Sequence, residues 1–590
     1  MSAPTQKETE LIDKFKRWLT KAEAAHKKWR ETFRVDDLDR YWEGDQQPTW
    51  WNEDFFCAIN LIFANVQRQL DNITTVTPYY HVRPSRTYAP VPDMLAYYDQ
   101  QAKLRESLLN AFVQAHPVKR EVRKAALDAY LAFGVVKVYY QPFLQPNPQA
   151  GQPFPGRVET QGPFKLFKEN FVLSRRNPMD IRLDPYADSI ENIEAVAERV
   201  EYTLTELKAN KLFKNTADIK PHKVRAEEKV ADEERKRGTS TSAPMTGGNS
   251  SMPGTSVLTD DEEIVHVWEF YDIKNNRLQA FAEGHDRPLR DDSMPDAIDR
   301  HSYVFLWFID RRNSAYPIPG VYHQIGPQDE YNVTRNQTML HRRRFNRKYQ
   351  SREGAISDTE LAKLEAPYDG VVIKTKDTGE VIRPIQDMPL DQAVYFDTVQ
   401  LRRDFMDVSG EPAADSDVAK IEKAGVANLL AANQQGRVRG IRSVFQDFYA
   451  AIAVKLMRLY EVELTLPQAI TIAGADGYKW EQINPSAISA TTTEYNYEVA
   501  ADSLVPQTPE SERGGWLAYL QFMALYPTFG ANPVLAEKTA KAFGVFDKQI
   551  VASVVQSAQA SIMQQMMAGG SAGKPGVSAG SPASMTMGGA

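Results

Sequence analysis

Residues 328–348 read QDEYNVTRNQTMLHRRRFNRK, and the arrangement of the whole chain turns on this run. It contains no proline or glycine, so its composition predicts a helix. Apolar residues do not gather on one side; the run is polar almost all round. A helix of that kind is not expected in the core of a single chain, and its faces are expected to meet water or other subunits. The residues that follow change character. Val371, Val372 and Ile373 predict a strand, Asp377-Thr378-Gly379 a turn, and Val381 to Ile385 a return strand. Residues 391–408 are helical again, with Val394, Leu401, Phe405 and Val408 sharing a face and Arg403 and Asp407 opposite. Gly410 and Pro412 end that helix. The expectation for 328–410 is therefore helix, small β-rich module, helix.

Upstream, Leu11, Phe15, Trp18, Leu19 and Ala22 recur at helical spacing and predict a helix from Glu8 to Arg34. Arg40 to Trp51 reads as a turn through Gly44 and Pro48. A helix through Leu61, Ile62, Asn65, Val66 and Leu70 is stopped by Pro78, and His81 to Arg83 is a short strand. Helices are expected at Asp93–His116 and Arg120–Phe133, the second with Gly134 as its C-cap. Strands are expected at Val135–Gln141, around Phe171–Ile181, at Ser302–Ile309 and at Ile264–Asp272, where Val265, Val267 and Glu269 alternate with His266 and Trp268. Thr203–Leu212 reads as a short capped helix. Residues 237–256 are mostly Gly, Ser, Thr and Pro and read as a mobile loop. Downstream, the longest clean helix is expected at Arg437–Leu464, roughly 40 Å long. Strands near Ile470 and at Tyr495–Val499 precede helices at Pro509–Tyr526, Pro533–Phe543 and Asp547–Met567. The Gly/Ala/Ser tail, 568–590, reads as disordered.

The bulk numbers narrow the classes. A chain of 590 residues suggests roughly three to five domains or subdomains. Its 42% hydrophobic and 25% charged content is ordinary for a globular protein, so the fold class expected is α+β, mostly helical. No run approaches the roughly 18 apolar residues of a membrane span, and the polar stretch Met1–Leu11 is unlike a secretory signal. The single cysteine, Cys57, excludes an intrachain disulfide and fits a reducing cytoplasm. A net charge of −7 argues against a free-standing protein that grips nucleic acid tightly.

Motifs for catalysis are absent. Lys574 follows Gly573, but Pro575 stands where a phosphate-binding loop needs Ser or Thr. No dinucleotide fingerprint, H-E-x-x-H or G-x-S-x-G occurs. His301, His323 and His341 lack ligand spacing. The acidic run Asp260–Glu263 reads as a solvated edge. Asp180, Asp184 and Asp188, with Glu206-Leu207-Lys208, are the one acidic set a metal-dependent nuclease would draw on, although its E-x-K falls in a capped helix and Asp184-Pro185 in a turn. No cofactor and no metal is expected. The basic run Arg335, Arg342, Arg343, Arg344, Arg347, Lys348 and Arg352 concentrates on one helix. Three successive arginines span about 200° of a helix, so they do not face one ligand. Two readings remain: partners among Asp397, Asp404 and Asp407 on the next helix, or direct proximity to DNA.

The order of elements resembles the portal (head–tail connector) proteins of tailed bacteriophages. The residues that carry the resemblance are Tyr41-Trp42-Glu43-Gly44-Asp45-Gln46, then Asn60-Leu61-Ile62 and the arrival at Pro78. Asn177-Pro178-Met179-Asp180 with Asp184-Pro185, Glu330, Asn332 and Gln337, and Gly425 to Gly440 with Gln434 and Arg437 continue it. The Trp expected after Gln46 comes only at Trp50.

That resemblance implies a multi-domain protomer of crown, wing, stem and clip in a ring, usually dodecameric, at a capsid vertex. The N-terminal helices and wing would be 1–327, the stem helices 328–348 and 391–410, and the clip 349–390. The tunnel loop would be 411–436, the long wing helix and strands 437–505, and the crown helices 506–567. Double-stranded DNA would pass through the channel during packaging and ejection, near Arg335, Arg342, Arg343, Arg344, Arg347, Lys348, Lys420, Lys423 and Arg437. The implied partners are the terminase large subunit, which would carry the ATPase, the tail adaptor and head-completion proteins, and the capsid and scaffolding proteins, with no membrane. The implied place is the virion, and the host cytoplasm during assembly. A capsid or tail scaffold that never meets DNA is the remaining alternative to the nuclease.

Overall fold

The computed structural model describes residues 5–51, 55–74, 78–85, 95–149, 164–221, 223–224, 263–345, 349–351, 356–365, 374, 382–384, 392–410, 424–474, 477–488, 495–499, 509–525, 532, 535–536, 539–540, 551 and 554–560. The fold is mixed α+β, as expected. Its helices are α1 Gln6–Phe33, α2 Val35–Glu43, α3 Leu61–Thr74, α4 Leu95–Ala115, α5 Val118–Leu131, α6 Leu204–Ala209, α7 Ile325–Phe345, α8 Asp358–Glu365, α9 Gln392–Ser409, α10 Ala424–Glu463, α11 Pro485–Ile488 and α12 Pro509–Leu525. Its strands are β1 Tyr80–Pro84, β2 Gly134–Pro146, β3 Phe164–Arg176, β4 Ile181–Leu183, β5 Ala195–Thr203, β6 Lys223–Val224, β7 Glu263–Asp272, β8 Arg277–Ala282, β9 Pro288–Ser293, β10 Tyr303–Leu306, β11 Tyr349–Ser351, β12 Ile382–Pro384, β13 Gln468–Gly474, β14 Gly477–Ile483 and β15 Tyr495–Val499. Among the described residues no helix is long and apolar enough to cross a membrane. The loop expected at 237–256 and the tail at 568–590 lie outside the described residues.

The chain divides into two units, one of Met1–Thr75 with His116–Leu464 and one of Val76–Ala115 with Thr465–Ala590. The expected N-terminal block 1–327 is therefore interrupted by a segment of the second unit.

In the first unit, β5 and β7–β9 form the body of a six-stranded antiparallel sheet, with β4 beside β5 and β6 pairing β7. Helix α1 opens with a capping box between Thr5 and Glu8 and covers one face. Its Ile12 and Phe15 pack on Ala195, Ala197, Trp268, Phe270 and Phe281, with the Phe15 and Phe281 rings 4.2 Å apart. Leu207 of α6 and Ile219 cover the other face over Val265, Val267 and Ala280. Strand β7 is thus buried on both faces, which is why its alternation of apolar and polar residues does not mark an inside and an outside.

A second antiparallel sheet runs β10–β2–β3. Gly134 is not the helix cap expected of it; it is the first residue of β2. A Cβ there would lie 2.2 Å from the Ala125 carbonyl oxygen of α5, so only glycine lets strand and helix approach. Helix α10 lies on this sheet, with the Tyr460 and Phe171 rings 3.9 Å apart and tilted by 34°. Its Lys455 Nζ donates to the Asp299 and His301 carbonyls, and Arg458 to that of Asp296. Helix α10 begins at Ala424, so it takes in residues 424–436 that were expected to be loop. Helix α2 occupies part of the stretch expected to be a turn and ends at Gly44, whose φ of 90° suits glycine alone.

The second unit pairs β1 with β15, from Tyr80↔Val499 to Pro84↔Tyr495, and joins β13 and β14 as a hairpin. From α4, Asn110 Oδ1 accepts the Tyr80 N–H and its Nδ2 donates to the Tyr80 carbonyl. The fully buried Arg105 lies 4.2 Å from the Tyr495 ring and donates to the Ile488 carbonyl.

Candidate functional site

Helix α7 has a buried polar stripe. Gln324 just before it, then Gln328, Asn332 and Asn336, recur every four residues and are each at most 4% exposed. They are amides: Gln324 accepts from the Asn65 side chain, and the other three bind the main chain of residues 57–62, an extended stretch that runs into the first residues of α3. Asn336 Oδ1 accepts the Cys57 N–H at 2.8 Å and its Nδ2 donates to the Cys57 carbonyl at 2.9 Å. Asn332 Oδ1 accepts the Ile59 N–H, and Gln328 Nε2 donates to the Ile59 carbonyl. Gln328 Oε1 then accepts the N–H groups of Leu61 and Ile62, two of the free donors that open α3. The spacing works because four residues of helix rise about 6 Å and two of extended chain about 6.7 Å. The expectation that this helix is too polar to be buried within one chain is therefore corrected: one face is buried, and its amides replace the missing partner strand.

The Tyr41–Gln46 motif joins the same buckle. Asn60 Nδ2 donates to the carbonyls of Tyr41 and Trp42, while its Oδ1 accepts the Phe63 N–H and caps α3. Asn332 Nδ2 donates to Gln46 Oε1 at 2.6 Å, and Gln46 Nε2 to the Tyr41 carbonyl. The Tyr41 hydroxyl donates to Asp329 of α7. Burial and that carboxylate push the Tyr41 phenol up, and burial also raises Asp329 above the usual carboxylate range. The motif residues from which the resemblance was drawn thus converge on the start of α7.

Helix α9 packs against α7. The β11–β12 ladder joins the end of α7 to the residues before α9, so the two helices run antiparallel. Leu401, Phe405 and Ser409 share the buried face of α9. Val408, expected on that face, is 39% exposed, and Phe396 and Val399 are 65% and 48% exposed. Arg335 and Arg342 are exposed on α7, and Asp397 and Asp407 on α9. The helices meet but these charges do not: among the described residues neither arginine pairs with Asp397, Asp404 or Asp407. Arg343 and Arg344 fall in the last turn of α7 and Arg437 in α10. Arg347, Lys348, Arg352, Lys420 and Lys423 lie outside the described residues.

The acidic set of the nuclease reading is dispersed into structural duties. Asp180 pairs with Arg199, Asp184 caps the N–H groups of Tyr186 and Glu194, Asp188 accepts from Asn192, and Glu206 closes a capping box with Thr203. Among the described residues no three His, Cys, Asp or Glu are grouped to hold a metal.

A buried charge cluster where the two sheets meet went unread in the sequence. Lys137 of β2 lies 2.6 Å from both Glu198 of β5 and Glu269 of β7, and Arg176 of β3 3.2 Å from Glu198. Tyr303 donates to Glu198 and Tyr202 to Glu269. Burial disfavours the Glu269 charge, but the Lys137 ammonium and the bonds from Lys137 and Tyr202 outweigh it and hold the carboxyl below its usual value. The two bases and two acids balance, which is what lets them stay buried. No protein-family model matches the chain, and no curated protein matches it.

Proposed function

We propose that this chain is the protomer of a portal ring, a conduit at a capsid vertex through which double-stranded DNA is packaged and ejected. One observation carries the reading: among the described residues of the α7–α9 hairpin, Arg335 and Arg342 of one helix are exposed and make no ion pair with the exposed Asp397 and Asp407 of the other, which also exposes Phe396 and Val399. Two unlike, complementary faces on one protomer suit a head-to-tail contact, and head-to-tail contacts close into rings when the rotation allows. The contact would supply partners for these arginines and carboxylates, which do not pair with one another among the described residues. The arginines then serve the subunit contact at least as much as the duplex. A net charge of −7 suits a channel that guides DNA without holding it. The module between the helices would dock the terminase and later the tail adaptor, and the packaging ATPase would be that separate partner.

Negative-stain imaging of the purified full-length protein tests this. Rings with a central channel are expected. Monomers that cleave plasmid with magnesium, and lose that cleavage on Asp184→Ala, would replace the portal reading with the nuclease. Glutamate at Arg342, Arg343 and Arg344 together should impair ring assembly and leave the protomer folded.

A further inference from the structure

Strand β2 changes surroundings along its length. It is buried from Gly134 to Val138, where β10 pairs it as far as Lys137. Every residue from Gln141 to Pro146 is exposed, and among the described residues β3 alone pairs with that stretch. The outer part is thus a two-stranded ribbon, roughly 20 Å long. Two strands by themselves are marginal in water and need a further layer packed on them.

The side chains of the ribbon say what that layer is. Register sets Phe143 opposite Lys168 and Leu144 opposite Leu166, with Phe167 as the extra residue of the bulge between them. Phe143, Leu144 and Phe167 are exposed, Phe167 by 63%. Lys165 and Lys168 are exposed beside them and have no ion pair among the described residues. No acidic residue occurs in 141–146 or 164–168. Pro142 and Pro146 lack the N–H that an added strand would use, and the bulge interrupts the ladder, so the ribbon offers a face and not the β2 edge.

An apolar, cationic face calls for an apolar, anionic seat, and the chain carries one on α2. The rings of Trp42 and Phe63 lie 4.8 Å apart, with Phe63 exposed. Asp39, three residues before Trp42, shares its side of the helix, and Glu43 follows it; both carboxylates are exposed. The arginines at hand, Arg34 and Arg40, are already paired with Asp37 and Asp45. Asn60 holds the rings in place by donating to the Trp42 carbonyl and accepting the Phe63 N–H. Ribbon and seat match in hydrophobicity and in sign. We infer that the outer β2–β3 ribbon of one copy of this chain docks on α2 of the next. Phe143, Leu144 and Phe167 rest on the Trp42–Phe63 pair, and Lys165 and Lys168 face Asp39 and Glu43. The inference rests on the ring reading and gives it a second contact between unlike surfaces, which propagates head to tail.

Charge reversal tests this in the full-length protein. Lys165→Glu/Lys168→Glu and Asp39→Lys/Glu43→Lys should each lower the yield of rings in negative stain about tenfold or more, with circular dichroism unchanged. All four substitutions in one chain should restore the rings, because every junction is complementary again. Proximity is read by crosslinking, with the only cysteine, Cys57, removed. Cys57→Ser/Gln145→Cys mixed with Cys57→Ser/Glu43→Cys and treated with a short bismaleimide should give a covalent dimer of the two. Cys57→Ser/Lys28→Cys in place of the second protein, altered at an exposed position on α1, should give none. Rings without the 43–145 dimer, or full ring yield in Lys165→Glu/Lys168→Glu, would overturn this contact and leave the ring reading standing. A ribbon that holds the monomer to vesicles of anionic lipid, in place of a second copy, would overturn it as well. Wild-type protein that stays monomeric, with no crosslink in any mixture, would overturn both.

Discussion

Lys137 lies at the meeting of the two sheets of the first unit, with its ammonium between Glu198 and Glu269 and its side chain 8% exposed. Replacing it by methionine fills much of the same volume but leaves two carboxylates and Arg176 in unequal balance. Breaking a buried pair from one side costs about 3 kcal/mol or more. The sign with pH follows from the direction in which Glu269 is displaced. Its carboxyl is held below the ordinary value, so its contribution is present above the unfolded carboxylate pKa and is lost as pH falls through the lowered one. In Lys137→Met that carboxyl is no longer held down, and protonating it relieves a buried charge. The deficit of the variant, read as the shift in urea midpoint, is expected to be largest at neutral pH and to shrink as pH falls through the carboxylate range. A variant that lost no stability at neutral pH would show that Arg176 alone neutralises the cluster. None of this was visible in the sequence. The partners of Lys137 are 61 and 132 residues away, and a lysine in a β-rich run reads as an edge charge. Gly134 is a similar case: glycine after a helix reads as a cap, and only the approach of α5 shows why it is there.

At the scale of elements, local signals were read well and non-local ones poorly. Helices α1, α7 and α9 fall within a turn of the expected positions, because periodicity, caps and breakers are properties of neighbouring residues. Helix α2 was missed, since nine residues followed by Gly44 and Pro48 carry too little periodicity to stand against turn-forming residues. Helix α10 extends back to Ala424 through an Ala- and Asn-rich stretch that composition alone assigns to loop. The polarity of α7 was legible, but its meaning was not: an amide reads the same whether it faces water or a buried main chain. The spacing Gln324, Gln328, Asn332, Asn336 was the available clue, because exposed helix faces have no reason to place amides every fourth residue. The two faces of α7 should therefore respond differently. Asn332→Leu strands the Ile59 N–H and the Gln46 side chain in the interior and should cost about 3 kcal/mol. Arg342→Ala, on the exposed side, should change protomer stability by less than about 0.5 kcal/mol. Calorimetry on the two variants at equal protein concentration separates them; equal destabilisation would mean the amide stripe is not what holds the segment 57–62.

The molecule as a whole is two units threaded through one another in sequence, since residues 76–115 leave the first to pair with residues after 465 in the second. The pairing of β1 with β15 joins strands more than four hundred positions apart in the sequence, and no local pattern announces such a partner. What the whole chain does share with its sequence reading is the α7–α9 hairpin, and there the decisive question is the symmetry of assembly. A head-to-tail ring uses two different faces of each copy, whereas a two-fold dimer uses one face twice. Two variants distinguish these cases. Arg335→Glu/Arg342→Glu disables the α7 face and leaves α9 intact; Asp397→Lys/Asp407→Lys does the reverse. In a head-to-tail assembly neither variant closes a ring alone. Mixed, every junction is complementary again, intact α7 face on intact α9 face and reversed α7 face on reversed α9 face, so assembly is rescued by the charge swap. The expected product by mass photometry is a ring that contains both variants in equal number, weakened by added salt because the contact is between exposed charges. A mixed dimer that grows no further would mean a two-fold contact in place of a head-to-tail one. Failure of the mixture to assemble, with wild-type rings present, would remove the α7–α9 hairpin from the contact.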